Sequence, residues 1–306
     1  MNLKQVQYML VLAKSRSFSE ASETLGISQP SLSQYVKKIE QQYGQQLIDR
    51  SAGEIRLTDA GQVYVEIGRK IVDLEQQLKN RFDDLAQYQA GSIRVGISPH
   101  RSVCLMPGIA AAFKQEYPGM NVVLDERVRS ELLDGAAQGD FDLFVTTLPV
   151  DEGRFVHEPV MREEIVLAIP RSMPICARVK EQAKSMPGRA YPAVDLRVMA
   201  DADFVFLGEE QLMQQHLTQL CSQLDMQVRR AVECRSIEAQ LAMVRAGIGA
   251  ALIPSGAARF ERTDGVDFFS LQQDVPKRDI VVAWRKEAYL TRAMRRFIEI
   301  MVEKMH

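Results

Sequence analysis

Residues 17–33 read Ser17-Phe-Ser-Glu-Ala-Ser-Glu-Thr-Leu-Gly-Ile-Ser-Gln-Pro-Ser-Leu-Ser33, and the punctuation in that stretch decides the fold of the first block. Ser17 with Glu20 three places on is a capping box, which opens a helix. Gly26 is placed to close it, because glycine enters the left-handed conformation without steric cost. Ser28 then caps a new helix with Pro30 in its first turn, where a missing N–H is harmless. Two helices joined by so short a turn predict a helix-turn-helix.

Working outward, Leu3, Val6, Tyr8, Met9 and Leu12 are apolar at helical spacing and predict a preceding helix. Leu32, Tyr35, Val36 and Ile39 give the helix after Ser28 a buried face, and Gly44 ends it. Leu47-Ile-Asp-Arg-Ser-Ala-Gly-Glu-Ile-Arg-Leu57 reads as two short strands around Ala52-Gly53-Glu54, a wing. Thr58-Asp59 caps a long helix carrying Val63, Ile67, Ile71, Leu74, Leu78, Phe82 and Leu85 at steps of three and four, close to a heptad seam. From Thr58 to about Ala90 that helix would run roughly 48 Å. A second copy of the helix is the expected cover for the seam; the alternative is a seam packed within the chain.

The helix after Ser28 is the expected reader of DNA. A recognition helix reads base edges in the major groove with its N-terminal residues. Ser28, Gln29, Pro30, Ser31, Ser33 and Gln34 lie there, and glutamine can bond adenine bidentately. Lys37 and Lys38 fall further along, where phosphates would be, and Arg50 and Arg56 flank the wing turn.

Bulk charge argues neither way. The 306 residues carry 38 Lys+Arg against 40 Asp+Glu, and residues 1–60 carry seven cations and six anions. Four of those seven (Lys37, Lys38, Arg50 and Arg56) fall on the expected DNA-facing helix and wing. A near-neutral block of this kind predicts modest non-specific affinity, with occupancy set by specific contacts and by several copies binding together. The composition, 46% hydrophobic and 25% charged, excludes a disordered, collagenous or disulfide-dense chain. No signal peptide and no span of ~18 apolar residues is visible, which predicts a cytoplasmic protein without a membrane partner.

From Ser92 the texture changes to β-branched runs alternating with helical patterns, which predicts βαβ units and an α/β fold. Strands are expected at 93–97, 121–126, 143–146, 155–160, 165–169, 204–207, 227–234, 250–253 and 280–284. Helices are expected at 103–116, 130–138, 211–224, 237–246 and 290–304. Residues 171–191 read as a loop or short irregular helix joining two lobes.

The first block resembles the LysR-type transcriptional regulators. The matching residues are Phe18 to Ser33, Ile39-Glu40, Gly44, Leu47, Arg50 and Leu57-Thr-Asp-Ala-Gly61. Weaker matches follow at Gly91-Ser-Ile-Arg-Val-Gly96, Phe113, Tyr117-Pro118, Gly139-Asp-Phe-Asp-Leu143, Val244-Arg-Ala-Gly-Ile-Gly-Ala250 and Ile253-Pro254. The chain departs from the family where Ile48 stands for a frequent Phe. It departs again at the wing tip Ala52-Gly53-Glu54 and at Gln34, Lys37 and Lys38, where arginine is common. The resemblance implies a winged helix-turn-helix (1–58), a dimerising linker helix (59–90) and a two-lobed effector domain similar to periplasmic binding proteins (91–306). Lobe I would comprise about 91–170 and 285–306, and lobe II about 171–284. It also implies a homotetramer bound near a promoter and a small-molecule effector.

Ligands of open α/β sheets bind beyond the carboxyl ends of strands, near helix starts. That rule and the resemblance place the effector at Ser98, Pro99, His100, Arg101, Ser102, Arg129, Ser130, Thr146, Thr147, Gly208, Glu209 and Ser236. His100 and Arg101 predict an anionic group on the effector; Glu209 and Glu210 would meet an amine.

No HxH, HExxH, GxSxG or GxxxxGK[ST] pattern occurs, so no catalytic residue, metal ligand or cofactor is expected. Cys104, Cys176, Cys221 and Cys234 form no CxxC pair and read as reduced thiols, with a redox-sensing pair as the alternative. The competing reading of the whole chain is a solute-binding protein or enzyme whose first 90 residues only drive oligomerisation.

Overall fold

The computed structural model describes residues 2–49, 55–85, 91–260 and 264–305. Arg50, the wing tip Ala52-Gly53-Glu54 and the last linker residues 86–90 lie outside them, as does the side chain of the seam residue Leu85. The chain divides into two compact units, Met1–Tyr88 with Glu287–Thr291, and Gln89–Lys286 with Arg292–His306.

The first unit is built from α1 (Leu3–Lys14), α2 (Phe18–Leu25), α3 (Gln29–Tyr43), β1 (Ile48–Asp49), β2 (Arg56–Leu57) and α4 (Asp59–Leu85). Met9, Leu12, Ala21, Leu32, Val36, Ile39, Leu47 and Ile48 form its core. Each such leucine or isoleucine contributes about 1.5–3 kcal/mol on burial, which is what closes a domain this small. Ser17 Oγ accepts the Glu20 N–H at 3.1 Å, but the Glu20 carboxylate takes the Arg16 N–H at 2.7 Å, one residue upstream of the expected reciprocal bond. Gly26 ends α2 at φ 62° and Gly44 ends α3 at φ 64°, both left-handed. Strands β1 and β2 pair antiparallel, as a wing does.

Helix α4 packs on α1, with Val65 buried and Gly68 close against Val6. A Cβ at Gly68 would sit 2.8 Å from Val6 Cγ1, so glycine is what allows that approach. The seam lies on another side of the helix. Ile67 is 46% exposed and Leu74 64%, with Val63, Leu78 and Phe82 also open and Ile71 half-buried, so most of the seam is left uncovered among the described residues.

The second unit holds β3 (Gly91–Ile97), α5 (Pro99–Glu116), β4 (Met120–Glu126), α6 (Arg129–Gln138), β5 (Leu143–Thr147), β6 (Phe155–Glu163), β7 (Ile165–Pro170), α7 (Ile175–Gln182) and β8 (Ala193–Val194). A 3-10 turn at Leu196–Met199 follows, then β9 (Asp203–Leu207), α8 (Leu212–Gln223), β10 (Arg229–Cys234), α9 (Ile237–Arg245), β11 (Ala251–Pro254), α10 (Ser255–Phe260), β12 (Val266–Leu271), β13 (Arg278–Arg285) and α11 (Arg292–Met305). One sheet runs β4-β3-β5-β13-β6 and a second β11-β7-β12-β8. The parallel pair β9 and β10 joins the second sheet where Phe204 bridges to Ala250. Both lobes therefore contain a parallel βαβαβ unit with its first strand in the middle, β4-β3-β5 and β10-β9-β11.

Two lobe assignments are corrected. Strand β7 was expected to close lobe I, yet it pairs with β11 and β12 in the second sheet. Strand β13 was expected in lobe II, yet it lies between β5 and β6 in the first. The reason is burial: the run before Pro170 is apolar on both faces and is buried throughout between β11 and β12, while Arg278–Arg285 returns the chain to fill the place between β5 and β6. The chain crosses between lobes at Glu163–Ile165 and again between Leu271 and Arg278. Helix α7 occupies part of the segment read as a loop or short irregular helix joining the lobes; with β7 already in the second sheet, that segment lies within lobe II. Elements β8, α10 and β12 were not among the expected ones.

Candidate functional site

The first candidate surface is the start of α3. Its local sequence folds this way because Ser28 Oγ accepts the Ser31 N–H at 3.3 Å, with the two hydroxyls 2.8 Å apart. Leu32, Val36 and Ile39 are buried in the core shared with α1 and α2. That leaves Ser28, Gln29, Pro30, Ser31, Gln34, Lys37 and Lys38 exposed, with Ser33 half-buried at the edge. Arg56 is exposed on β2. Glu40, absent from the expected set, braces this surface: its Oε1 accepts the N–H groups of Leu47 and Ile48 at 3.0 and 3.3 Å, fixing the wing to α3.

The second candidate lies where the lobes meet. Ser98 precedes α5, but its hydroxyl caps no backbone N–H; it accepts from Arg101 Nη1 at 3.3 Å instead. Pro99 occupies the first helical position and is exposed. His100 and Ser102 are buried. His100 Nδ1 stands 4.0 Å from Glu238 Oε1 on α9, in the other lobe, and 3.6 Å from Cys104 Sγ. Ser236 caps α9 by accepting the Ala239 N–H at 3.1 Å.

Arg101 is not an open cation. Its side chain is 12% exposed, and Nη2 lies 3.5 Å from Glu163 Oε2. Arg278 donates to that same oxygen at 2.7 Å. Burial pulls the Arg101 pKa down to about 10; Glu163 opposes that shift and the second guanidinium, Arg278, adds to it. Burial also lowers His216 on α8, and the charge of Arg278 lowers it further. Neither Glu163 nor Arg278 was expected; the signal was two consecutive glutamates, Glu163-Glu164, set between apolar strands.

Glu164 turns the other way, into lobe II. Its Oε1 accepts from the Ala190 N–H at 2.6 Å and from the Ser270 hydroxyl at 3.0 Å. Arg129 is likewise committed: it donates to Thr147 Oγ1 at 3.2 Å and to the carbonyls of Thr147 and Pro149 at 3.3 and 2.9 Å. Thr146 and Thr147 are buried, and Ser130 is exposed in the first turn of α6.

The loop after β9 is organised differently. The Glu210 carboxylate folds over Gly208, where a Cβ would collide with it. The Gln211 side-chain amide donates to the Arg235 carbonyl, bringing residues 208–211 to the start of α9. Glu209 is exposed and lines a cavity of about 700 Å³ beside α8, with Phe206, Leu217, Met226 and Arg230. The carboxylate that meets His100 is Glu238, two residues past Ser236.

No disulfide joins the four cysteines. The Cys176 thiol donates to Asp267 Oδ2 at 3.3 Å, and burial together with that carboxylate pushes it up to about 11. Burial also raises Cys221 and Cys234. A reactive sensor needs a depressed thiol pKa, so these three have the opposite electrostatics. Among the described residues no group of three or more metal-ligating side chains converges, and no helix is long and apolar enough to cross a membrane.

Residues 3–62 match the family model described as bacterial regulatory helix-turn-helix protein, lysR family, and residues 86–306 match that of the LysR substrate binding domain. The chain belongs to the LysR family. It is a LysR-family transcriptional regulator with an N-terminal helix-turn-helix and a C-terminal effector-binding domain. It is 28% identical to the HTH-type transcriptional regulator YcgK of Bacillus subtilis (strain 168), over all of this chain and 95% of that one. It is 26% identical to the DNA-binding transcriptional dual regulator OxyR of Escherichia coli (strain K12), over 93% and 90% of the two chains. Its fold is similar to a full-length OxyR variant from Pseudomonas aeruginosa, with TM-score 0.66, 23% identity and coverage of 100% and 94%. It is also similar to full-length CbnR complexed with its target DNA, with TM-score 0.62, 21% identity and full coverage of both chains.

Proposed function

We propose that this LysR-family regulator reads an operator with the N-terminal half of α3 and responds to a small molecule held between its two lobes. The observation that carries the DNA reading is the two-faced character of α3: Leu32, Val36 and Ile39 are sealed inside, while Gln29, Ser31, Gln34, Lys37 and Lys38 stand exposed at a capped helix start. Gln29 and Ser31 read base edges, Lys37 and Lys38 meet phosphates, and Arg50 and Arg56 add backbone contacts from the wing. Residues 1–58 act as the DNA-binding block, 59–90 as the dimerising linker and 91–306 as the sensor. The exposed seam of Val63, Ile67, Leu74, Leu78 and Phe82 pairs with a second copy, and two dimers make a tetramer. The protein acts in the cytoplasm, as a binder rather than an enzyme.

The effector site is formed by the loops after β3 and β5 in lobe I and the start of α9 in lobe II, around Ser98, His100, Arg101, Ser102, Thr147 and Ser236. A ligand acts by favouring one separation of the lobes over another, and its effect is bounded by its differential affinity for the two states.

A footprint on the DNA upstream of the protein's own gene tests the reading. A protected site whose affinity falls steeply with salt is expected, and Gln29→Ala should reduce the preference for that site over unrelated DNA. Binding that ignores both salt and Gln29→Ala would defeat it.

A further inference from the structure

We propose that Arg101 receives an acidic group of the effector and that Glu163 is its built-in competitor, so that ligand binding and the state of the first lobe crossing are a single equilibrium. This rests on the effector site proposed above and adds both the ligand's charge class and the way binding is regulated.

The cluster has more positive charge than it can use. Strand register sets Arg278 directly opposite Glu163, since the two are partners across β13 and β6. Their bond, at 2.7 Å, is short and satisfied. Arg101 comes from α5 as a third party and reaches the same oxygen only at 3.5 Å. Glu163 is 2% exposed and carries one charge against two guanidiniums. The Nε–H groups of both Arg101 and Arg278 are buried without an acceptor. A buried cation left short of acceptors is unfavourable unless another anion supplies them. A carboxylate offers two acceptor oxygens in the geometry a guanidinium prefers.

The position makes the competition consequential. Glu163 is the last residue of lobe I before the chain crosses, and Arg278 is the first after it returns. Across the crossing, α10 packs against α5, and Gly256 lies so close to Glu163 that a Cβ there would stand 2.6 Å from its Oε1. Ser255 and Glu164 exchange backbone and hydroxyl bonds at 2.9 and 3.2 Å. Moving Arg101 from Glu163 to a ligand therefore alters the contact on which lobe II rests. The acid class follows from the same balance. A small carboxylate neutralises the surplus charge, whereas a cationic or neutral ligand leaves it in place.

The test uses the full-length protein and a panel of small carboxylates (acetate, benzoate, succinate and citrate), with sodium chloride at matched ionic strength as control. Thermal melting and calorimetry give affinities. At least one carboxylate should stabilise the wild type, and Arg101→Gln should weaken it by about tenfold or more, as loss of a charged hydrogen-bonded pair does. Glu163→Gln should tighten it by about tenfold, because the competitor is gone. Should Glu163→Gln alone misfold, the double variant Glu163→Gln/Arg278→Gln removes both charges of the pair together and should tighten binding likewise. No carboxylate bound by the wild type would overturn the assignment of an acidic ligand. Loss in Arg101→Gln without gain in either Glu163 variant would overturn the competition and leave the cleft reading standing. A bound carboxylate indifferent to Arg101→Gln would sink both.

Discussion

Two helix starts in this chain carry nearly the same local signal and put it to different use. Ser28-Gln-Pro-Ser31 opens α3, and Ser98-Pro-His-Arg-Ser102 opens α5; each has a serine before the helix and a proline in its first turn. At α3 the serine hydroxyl caps a backbone N–H, and the polar side chains that follow stay exposed. At α5 the hydroxyl turns to a guanidinium, and His100, Arg101 and Ser102 are drawn inside by Glu163, Glu238 and the facing lobe. Local sequence decides that a helix starts; what packs over it decides whether its polar groups meet a partner molecule or are used up within the chain.

The largest expected effect tests that contrast as stability. Arg278→Ala leaves Glu163 buried with only the distant Arg101, and breaking a buried pair from one side costs about 3–5 kcal/mol. Lys37→Ala, on the exposed face of α3, should stay within about 0.5 kcal/mol. The chain's single tryptophan, Trp284, sits on β13 with Arg278, so its fluorescence follows melting of the second unit, while amide exchange in α1 to α3 follows the first, which holds Lys37. Equal losses from the two substitutions would erase the distinction.

The next effect is on DNA. Gln29→Ala should cost about 1–3 kcal/mol on the preferred operator and little on other sequences. Lys37→Ala and Lys38→Ala should weaken all sequences alike and lower the slope of affinity against salt by about one each. Gel-shift titrations at several salt concentrations separate the two behaviours. If Gln29 and the lysines proved indistinguishable, α3 would hold DNA without reading it.

The same contrast explains what was legible beforehand. Caps, stops and helical spacing are local, so Ser17, Gly26, Ser28 and Gly44 marked α2 and α3 to within a residue. Exposure of Gln29 and Lys37 followed from Leu32 and Val36 facing inward. The effector loops were expected for a topological reason, since strand ends of a βαβαβ unit converge. Their partners were not found, because pairing of Arg101 with Glu163, 62 positions away, or of Arg278 with Glu163, 115 away, depends on which sheet β6 and β13 join. That is also where the expected lobe limits failed. Apolar runs such as Ile165–Pro170 announce a buried strand without saying which sheet buries it, and Val266–Leu271 was hidden because Asp267 and Ser270 interrupt its apolar run.

The smallest effect separates the two serines themselves. Ser28→Ala removes an N-cap and should cost about 1 kcal/mol, with faster amide exchange at Ser31 and its turn. Ser98→Ala removes no cap, because the hydroxyl bonds Arg101 rather than the helix backbone. Amide exchange in the first turn of α5 should stay where it is, and the change should surface at Arg101, which loses one of its two acceptors and leans further on Glu163. By the competition argued above, that shift should weaken carboxylate binding. Fraying of α5 in Ser98→Ala to the same degree as α3 in Ser28→Ala would mean that both serines serve their own helices, and that the difference between the two starts lies only in what lies next to them.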